Sequence, residues 1–219
     1  MTQMVVAIDG PSGVGKGTVA RAVAAALGCR HVDTGAMYRA VAWKARREGV
    51  PLGDEDALVR LAEATRIEPT AGAVRVDGEE VGAVLRTPEI DRGAARVARL
   101  PAVRQVLAAQ QRRLGEAGTA VMEGRDIGTV VFPDAAVKIY LDAAPEERAR
   151  RRSLDPAHTG SNDVATVRTE LDARDESDRT RAVAPLAVAP DAHVIDTTGL
   201  SIAEVVERVL TIVREKIRC

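Results

Sequence analysis

The chain has 219 residues, 46% of them hydrophobic, with 31 basic and 32 acidic side chains and a formal net charge of −1. That balance excludes duplex DNA or a membrane surface as the principal partner. The only aromatic residues, Tyr38, Trp43, Phe132 and Tyr140, are too few for a base-stacking platform on single-stranded nucleic acid. The apolar content can fill one sizeable core, which excludes a disordered chain. All basic residues except Lys16, Lys44, Lys138 and Lys216 are arginines, suited to planar contact with phosphates, although codon usage alone gives the same count. Cys29 and Cys219 fit no metal-ligand spacing and match a reducing compartment. The start "MTQMVVAID" has no basic segment leading into a long apolar run, and "VARAVAAALG" is short and broken by Arg21, so a cytoplasmic protein is expected.

In chain order, the apolar run Met4 to Asp9 reads as a strand buried on both faces of a parallel sheet. It ends at "GPSGVGKGT", and an alanine-rich helix follows from Lys16 to Leu27, with Gly28 as its stop. "RHVD" reads as a second strand, leading into a helix from about Ala36 to Glu48 that stops at Gly49 and Pro51. From Arg66 to Ile90 short apolar and polar alternation with the turn pairs "AG" and "DG" indicates a small inserted antiparallel sheet, then a helical stretch near Val97 to Leu114. Buried strands are expected at Ala120–Glu123, Val137–Asp142 and "HVID". They are separated by a helix opening at Pro145, an exposed charged helix "NDVATVRTELDARDESDRTR", and a last helix boxed by Ser201 and Glu204. The fold class is therefore α/β, a mostly parallel sheet flanked by helices, plus the inserted sheet.

The spacing Gly10, four residues, Gly15, Lys16, placed between a strand and a helix, is that of a phosphate-binding loop (P-loop), whose backbone N–H groups and helix start face an anion. The cradle would comprise Gly10, Pro11, Ser12, Gly13, Val14, Gly15, Lys16, Gly17 and Thr18, with Lys16 reaching the outer phosphates. The hydroxyl comes one residue late, at Thr18, about 100° around the helix from the usual metal-contacting position. Mg²⁺ would then be reached largely through water, and no side chain is assigned as a direct metal ligand. No "NKxD"-like segment is present to read guanine, which argues against a GTPase.

"DTGAMYR" (Asp33–Arg39), "EGRDIGTVVFPDA" (Glu123–Ala135) and "RDESDRTRAVAPL" (Arg174–Leu186), together with "DGPSGVGKGT", resemble the bacterial cytidylate kinases over nearly the whole chain. The resemblance implies transfer of the γ-phosphate of ATP, with Mg²⁺, to CMP or dCMP by a cytoplasmic monomer. It divides a single nucleotide-kinase domain, 1–219, into a core (1–34, 115–145 and 190–219), an acceptor part with the insert (35–114), and a lid with the late acceptor helix (146–189). It places Thr34, Arg39, Arg86, Arg104, Arg125, Asp126, Arg174, Asp178 and Arg181 at the acceptor, and gives Lys16, Arg125 and Arg181 the catalytic role. Ala95 stands where some members carry a serine near the base, so one contact is expected to be missing.

The chemistry supports that assignment. Joining two multiply charged anions needs guanidinium groups to offset their repulsion, yet Arg148, Arg150, Arg151 and Arg152, interleaved with acids, fit a solvated helix as well as a phosphate clamp. A phosphate monoester, with a second pKa of about 6, is ionised near neutrality and needs no general base. His31, His158 and His193 are accordingly expected to be surface or packing residues. Asp126 facing the cytosine amino group, with Arg104 facing N3 or O2, would reject uracil, so Asp126→Ala should lose the preference for CMP over UMP. Asp178 and Arg174 would address the sugar, and Glu123 either approaches the metal's water shell or is a solvent-exposed strand end. The segment Arg150–Asp163 is expected to close over ATP. Two alternatives stay open: a P-loop kinase with another acceptor, and a nucleotide-binding switch that hydrolyses ATP slowly.

Overall fold

In the computed structural model, residues 4–69, 74–82, 84–155 and 161–218 are described. Strand β1 (Val5–Asp9) is the centre of a five-stranded parallel sheet, β2-β6-β1-β7-β8, with β2 at Arg30–Asp33, β6 at Ala120–Gly124, β7 at Val137–Asp142 and β8 at His193–Asp196. Its alternate residues serve two cores. Val6 and Ile8 pack beneath α1 (Lys16–Ala26) and α8 (Ile202–Arg218), while Val5 and Ala7 face Val32, Met122, Ile127 and Val131 on the other side. Burial of both faces is why this strand is an unbroken apolar run.

A separate core joins α2 (Thr34–Arg47), α3 (Glu55–Ala64), α4 (Pro88–Val97) and α5 (Pro101–Glu116) around Met37, Val41, Leu58, Val97 and Leu107. Helix α2 starts two residues earlier than its sequence suggests, because Asp33 is the N-cap and accepts the Ala36 N–H at 2.9 Å. Helix α3 has no counterpart in the sequence reading. Its signals are the Asp54 cap on the Ala57 N–H and an apolar face of Leu58, Leu61 and Ala62.

The insert forms β3 (Ile67–Pro69), β4 (Val74–Val76) and β5 (Glu79–Glu80), all antiparallel. Asp77 and Gly78, both at positive φ (53° and 86°), make the tight hairpin turn that "DG" signals. The "AG" pair at Ala71–Gly72 lies outside the described residues. The expected sheet ends earlier than Ile90: Pro88 opens α4, at the position where its missing N–H costs nothing. The helix expected near Val97 to Leu114 is α5, which starts later, at Pro101, because Val97 closes α4 and Leu100, preceding Pro101, is held extended.

Helices α6 (Pro145–Ser153) and α7 (Val164–Thr180) pack together through Ala149, Val167 and Leu171. Helix α7 is therefore not exposed all round, and its Asp175 is fully buried. Among the described residues no helix is long and apolar enough to cross a membrane.

Candidate active site

The loop from Gly10 to Lys16 runs from β1 into α1. A Cβ on Gly10 would lie 2.1 Å from the Leu141 carbonyl oxygen, and Gly15, at φ 93°, is the left-handed residue that turns the chain into the helix. No side chain caps α1, so its first N–H groups remain for an anion. Lys16 is buried, and its ammonium donates to the Pro11 carbonyl at 2.6 Å, folding over its own loop. Burial, reinforced by the Arg125 guanidinium, pushes its pKa well below the ordinary lysine value.

This loop lines a cleft of ≈ 850 Å³ that is also lined by arginines from α2, the turn before α4, α5, the segment after β6, α6 and α7. Arg39 on α2 donates to Asp33 at 2.8 Å and stands 3.9 Å from Asp91. Arg125 donates through Nε to Asp178 at 2.9 Å and through Nη2 to the Ser12 hydroxyl at 2.8 Å. Asp126 accepts from Arg104 at 2.6 Å on one oxygen and from Arg181 at 3.3 Å on the other. The Arg104 guanidinium lies 5.3 Å over the Tyr38 ring, whose phenol burial drives up to a pKa of about 12, so the ring stays neutral. Arg181 is anchored by Nε to the Ala184 carbonyl at 2.5 Å, and Ala184 itself sits at φ 52°, a conformation strained for alanine. Arg86 and Arg174 also line the cleft. Burial, together with Arg125, lowers the pKa of Arg174.

Thr34 and Thr18 line the same space, but the Thr34 hydroxyl already donates to the Glu123 carbonyl at 2.7 Å, which leaves its lone pairs for a ligand. A Cβ on Gly124 would lie 2.7 Å from that hydroxyl, so the strand end has no room for a side chain. Glu123 is buried rather than solvent-exposed. Its Oε1 is 2.9 Å from His31 Nε2 and would be 3.2 Å from a Cβ on Gly17. A side chain at position 17 would crowd this carboxylate. His31, expected as a surface or packing residue, is half-buried and contacts this cleft carboxylate. His193 is exposed, and His158 lies outside the described residues.

Asp9, at the end of β1, accepts the N–H groups of Ile127 (2.9 Å) and Gly128 (2.7 Å), fixing the wide turn Ile127–Val131 that follows Asp126. Burial raises its pKa from 3.8 to about 6, with the Asp126 charge adding to the shift and the two amides opposing it. Because the folded value exceeds the unfolded one, this group's stabilising contribution is complete below about pH 3.8 and is lost as pH rises through about 6. A carbon-detected NMR titration of the Asp9 carboxyl is expected to give a midpoint near pH 6; a midpoint near the ordinary value would refute it.

The basic run in α6 resolves residue by residue. Arg148 is buried and ion-paired with Asp175, Arg150 pairs with Glu147 on the surface, Arg151 holds the Thr197 carbonyl at 2.6 Å, and Arg152 reaches Asp91 at 3.2 Å. Beyond the loop the cleft is edged by Leu154, Leu200, Ile202 and Val205. No motif marks this apolar rim, in which Leu154 and Ile202 are exposed. Residues 156–160 of the expected closing segment lie outside the described residues.

A glycine loop that opens a helix and a set of arginines lining one cleft suit a P-loop kinase, which must hold a phosphate donor and a phosphorylated acceptor at once. The family model for cytidylate kinase matches residues 6–215. The chain is 50% identical over 221 residues to the cytidylate kinase of Solibacter usitatus (strain Ellin6076), covering 98% of this chain and 94% of that one. It is 46% identical over 216 residues to the cytidylate kinase of Desulfitobacterium hafniense (strain Y51), covering 97% and 93%. A solved structure of an uncharacterized protein from Eubacterium ventriosum ATCC 27560 shares the fold, with a TM-score of 0.57 at 11% identity over 98% of this chain and 99% of that one. The chain belongs to the cytidylate kinase family.

Proposed function

We propose that the protein transfers the γ-phosphate of ATP to CMP or dCMP. An acceptor phosphate oxygen attacks the γ-phosphorus in line, and the bond to the β,γ-bridging oxygen breaks, releasing ADP and CDP or dCDP. The observation that carries this reading is the Arg104–Asp126 pair inside the same cleft as the glycine loop. One donor group and one carboxylate match the N3/O2 acceptors and the N4 amino donor of cytosine. Lys16 and the loop amides hold the donor phosphates. Arg39, Arg86 and Arg125 hold the acceptor phosphate, Arg174 and Asp178 the sugar, and Arg181 offsets the charge developing between the two anions. The apolar rim of Leu154, Leu200 and Ile202 offers a face to adenine. Ala95 lines the cleft but brings no hydroxyl to the base.

Mg²⁺, when bound, neutralises the outer phosphate oxygens of ATP. A buried carboxylate with a hard oxygen fits it, and Glu123, oriented by His31 beside Gly17, would hold it through its water shell. No group is required to remove a proton, because the acceptor phosphate is already ionised. We further assign the core to 1–34, 115–145 and 190–219, the acceptor part to 35–114 and the lid with the late acceptor helix to 146–189, in a cytoplasmic monomer.

A coupled ADP-release assay across CMP, dCMP, UMP, AMP and shikimate tests the reading. Turnover that depends on a cytosine monophosphate is the expected result. ADP release without an acceptor, or preference for another acceptor, would overturn it.

A further inference from the structure

Ser12 of the loop has each of its polar groups taken by a different distant segment. Its N–H donates to Asp175 Oδ1 at 2.8 Å, its carbonyl accepts from Arg148 Nη1 at 3.0 Å, and its hydroxyl accepts from Arg125 Nη2 at 2.8 Å. Asp175 is fully buried, and Arg148 and Ser12 nearly so. The Arg148–Asp175 ion pair therefore grips the main chain of the loop from α6 and α7. Phosphate cradling needs only curled backbone with free N–H groups, so it does not explain why residue 12 is tied in three directions.

From the Ser12 hydroxyl a continuous run of charge-assisted bonds crosses the cleft. Arg125 donates to Asp178 at 2.9 Å, and Arg181 donates to Asp178 at 3.4 Å and to Asp126 at 3.3 Å. Arg104 donates to Asp126 at 2.6 Å. The run begins on the loop that holds the donor and ends on the pair that reads the base. Arg125, at the join, has a long side chain whose ordering costs entropy. An acceptor that immobilises the Asp178–Arg125 pair also fixes the hydroxyl contact to the loop, so the entropy of ordering Arg125 against Ser12 is lost once and a second ligand does not meet it again.

We infer that Ser12 is a positioning residue that couples acceptor occupancy to the donor loop, so that ATP and CMP each strengthen the binding of the other. The inference rests on the donor and acceptor sites proposed above. By linkage the two strengthening factors must be equal, which supplies an internal check.

Calorimetry of the full-length protein with the β,γ-imido analogue of ATP, CMP, and each in the presence of the other tests it. The wild type is expected to bind the analogue about tenfold more tightly when saturated with CMP, and CMP by the same factor when saturated with the analogue. Ser12→Ala removes only the hydroxyl and leaves both main-chain clamps. It is expected to bring the factor to within about twofold of unity while changing each separate affinity less than the coupling itself. Independent binding in the wild type, or an undiminished factor in Ser12→Ala, would overturn the inference and leave the proposed function standing. A larger loss of separate affinity than of coupling would show that the hydroxyl shapes the loop alone, and would also overturn it. Failure of both ligands to bind the wild type would overturn the function and the inference together.

Discussion

Lys16→Met is expected to lower kcat by about 10²–10³-fold without destabilising the fold. The lysine is buried, and its Nζ donates to a carbonyl of its own loop. An ammonium held there costs folding free energy, and in the proposed reaction it would meet the phosphoryl oxygens as charge develops on them. Because its folded pKa lies below the unfolded one, the unfolded chain binds more protons between the two values, and wild-type stability rises with pH across that window. Methionine, similar in length and uncharged, abolishes this rise and makes the protein at least as stable at neutral pH. Urea midpoints at pH 7 and pH 9, measured beside steady-state rates, check both halves. A midpoint lower than wild type at pH 7 would show that Lys16 is needed by the fold.

Asp126→Asn is expected to reduce the preference for CMP over UMP, as a ratio of kcat/KM values, by about 10²-fold. Cytosine presents an amino donor at the position where uracil has a carbonyl. A carboxylate matches the first and opposes the second, and an asparagine NH₂ reverses the match. Rates with both substrates should fall, because the new NH₂ also meets Arg181, which the carboxylate accepted at 3.3 Å. The ratio isolates base reading from that loss. Asp126→Ala is the poorer probe: Arg104 and Arg181, both buried, would lose a shared partner, and breaking such buried pairs costs about 3–5 kcal/mol. Competition between the two substrates in one reaction gives the ratio directly. Equal losses for CMP and UMP would remove Asp126 from base recognition.

Local pattern carried most of the core. The apolar runs of β1, β6 and β7 are legible because strands buried on both faces leave no polar alternation. "DG" announced its hairpin because two consecutive positive φ values suit few other residues. Two boundaries lie away from the apolar pattern: Asp33 captures the N–H of Ala36 and starts α2 early, and Leu100, extended before Pro101, separates α4 from α5. Helix α3 was legible too, in the Asp54 cap, the acidic first turn and the apolar spacing Leu58, Leu61, Ala62, and it packs that face against α2 and α5.

For the site, the glycine spacing and Lys16 declared an anion cradle from sequence alone, since a strand-loop-helix unit needs only local geometry. The arginines were legible as a population and not as individuals. Composition cannot tell Arg148, buried against Asp175 and gripping the loop, from Arg150, which meets Glu147 at the surface. Nor does chain order show that His31 meets Glu123, or that Ser12 meets Arg125 across 113 residues. Sequence by itself determined the parallel sheet and the phosphate loop, because each depends on periodicity or short-range backbone geometry, whereas the kind of chemistry was carried by the resemblance of four motifs to the cytidylate kinases. Only the tertiary structure decided which guanidinium faces which carboxylate, because such pairs form between segments brought together by burial of apolar surface elsewhere in the chain.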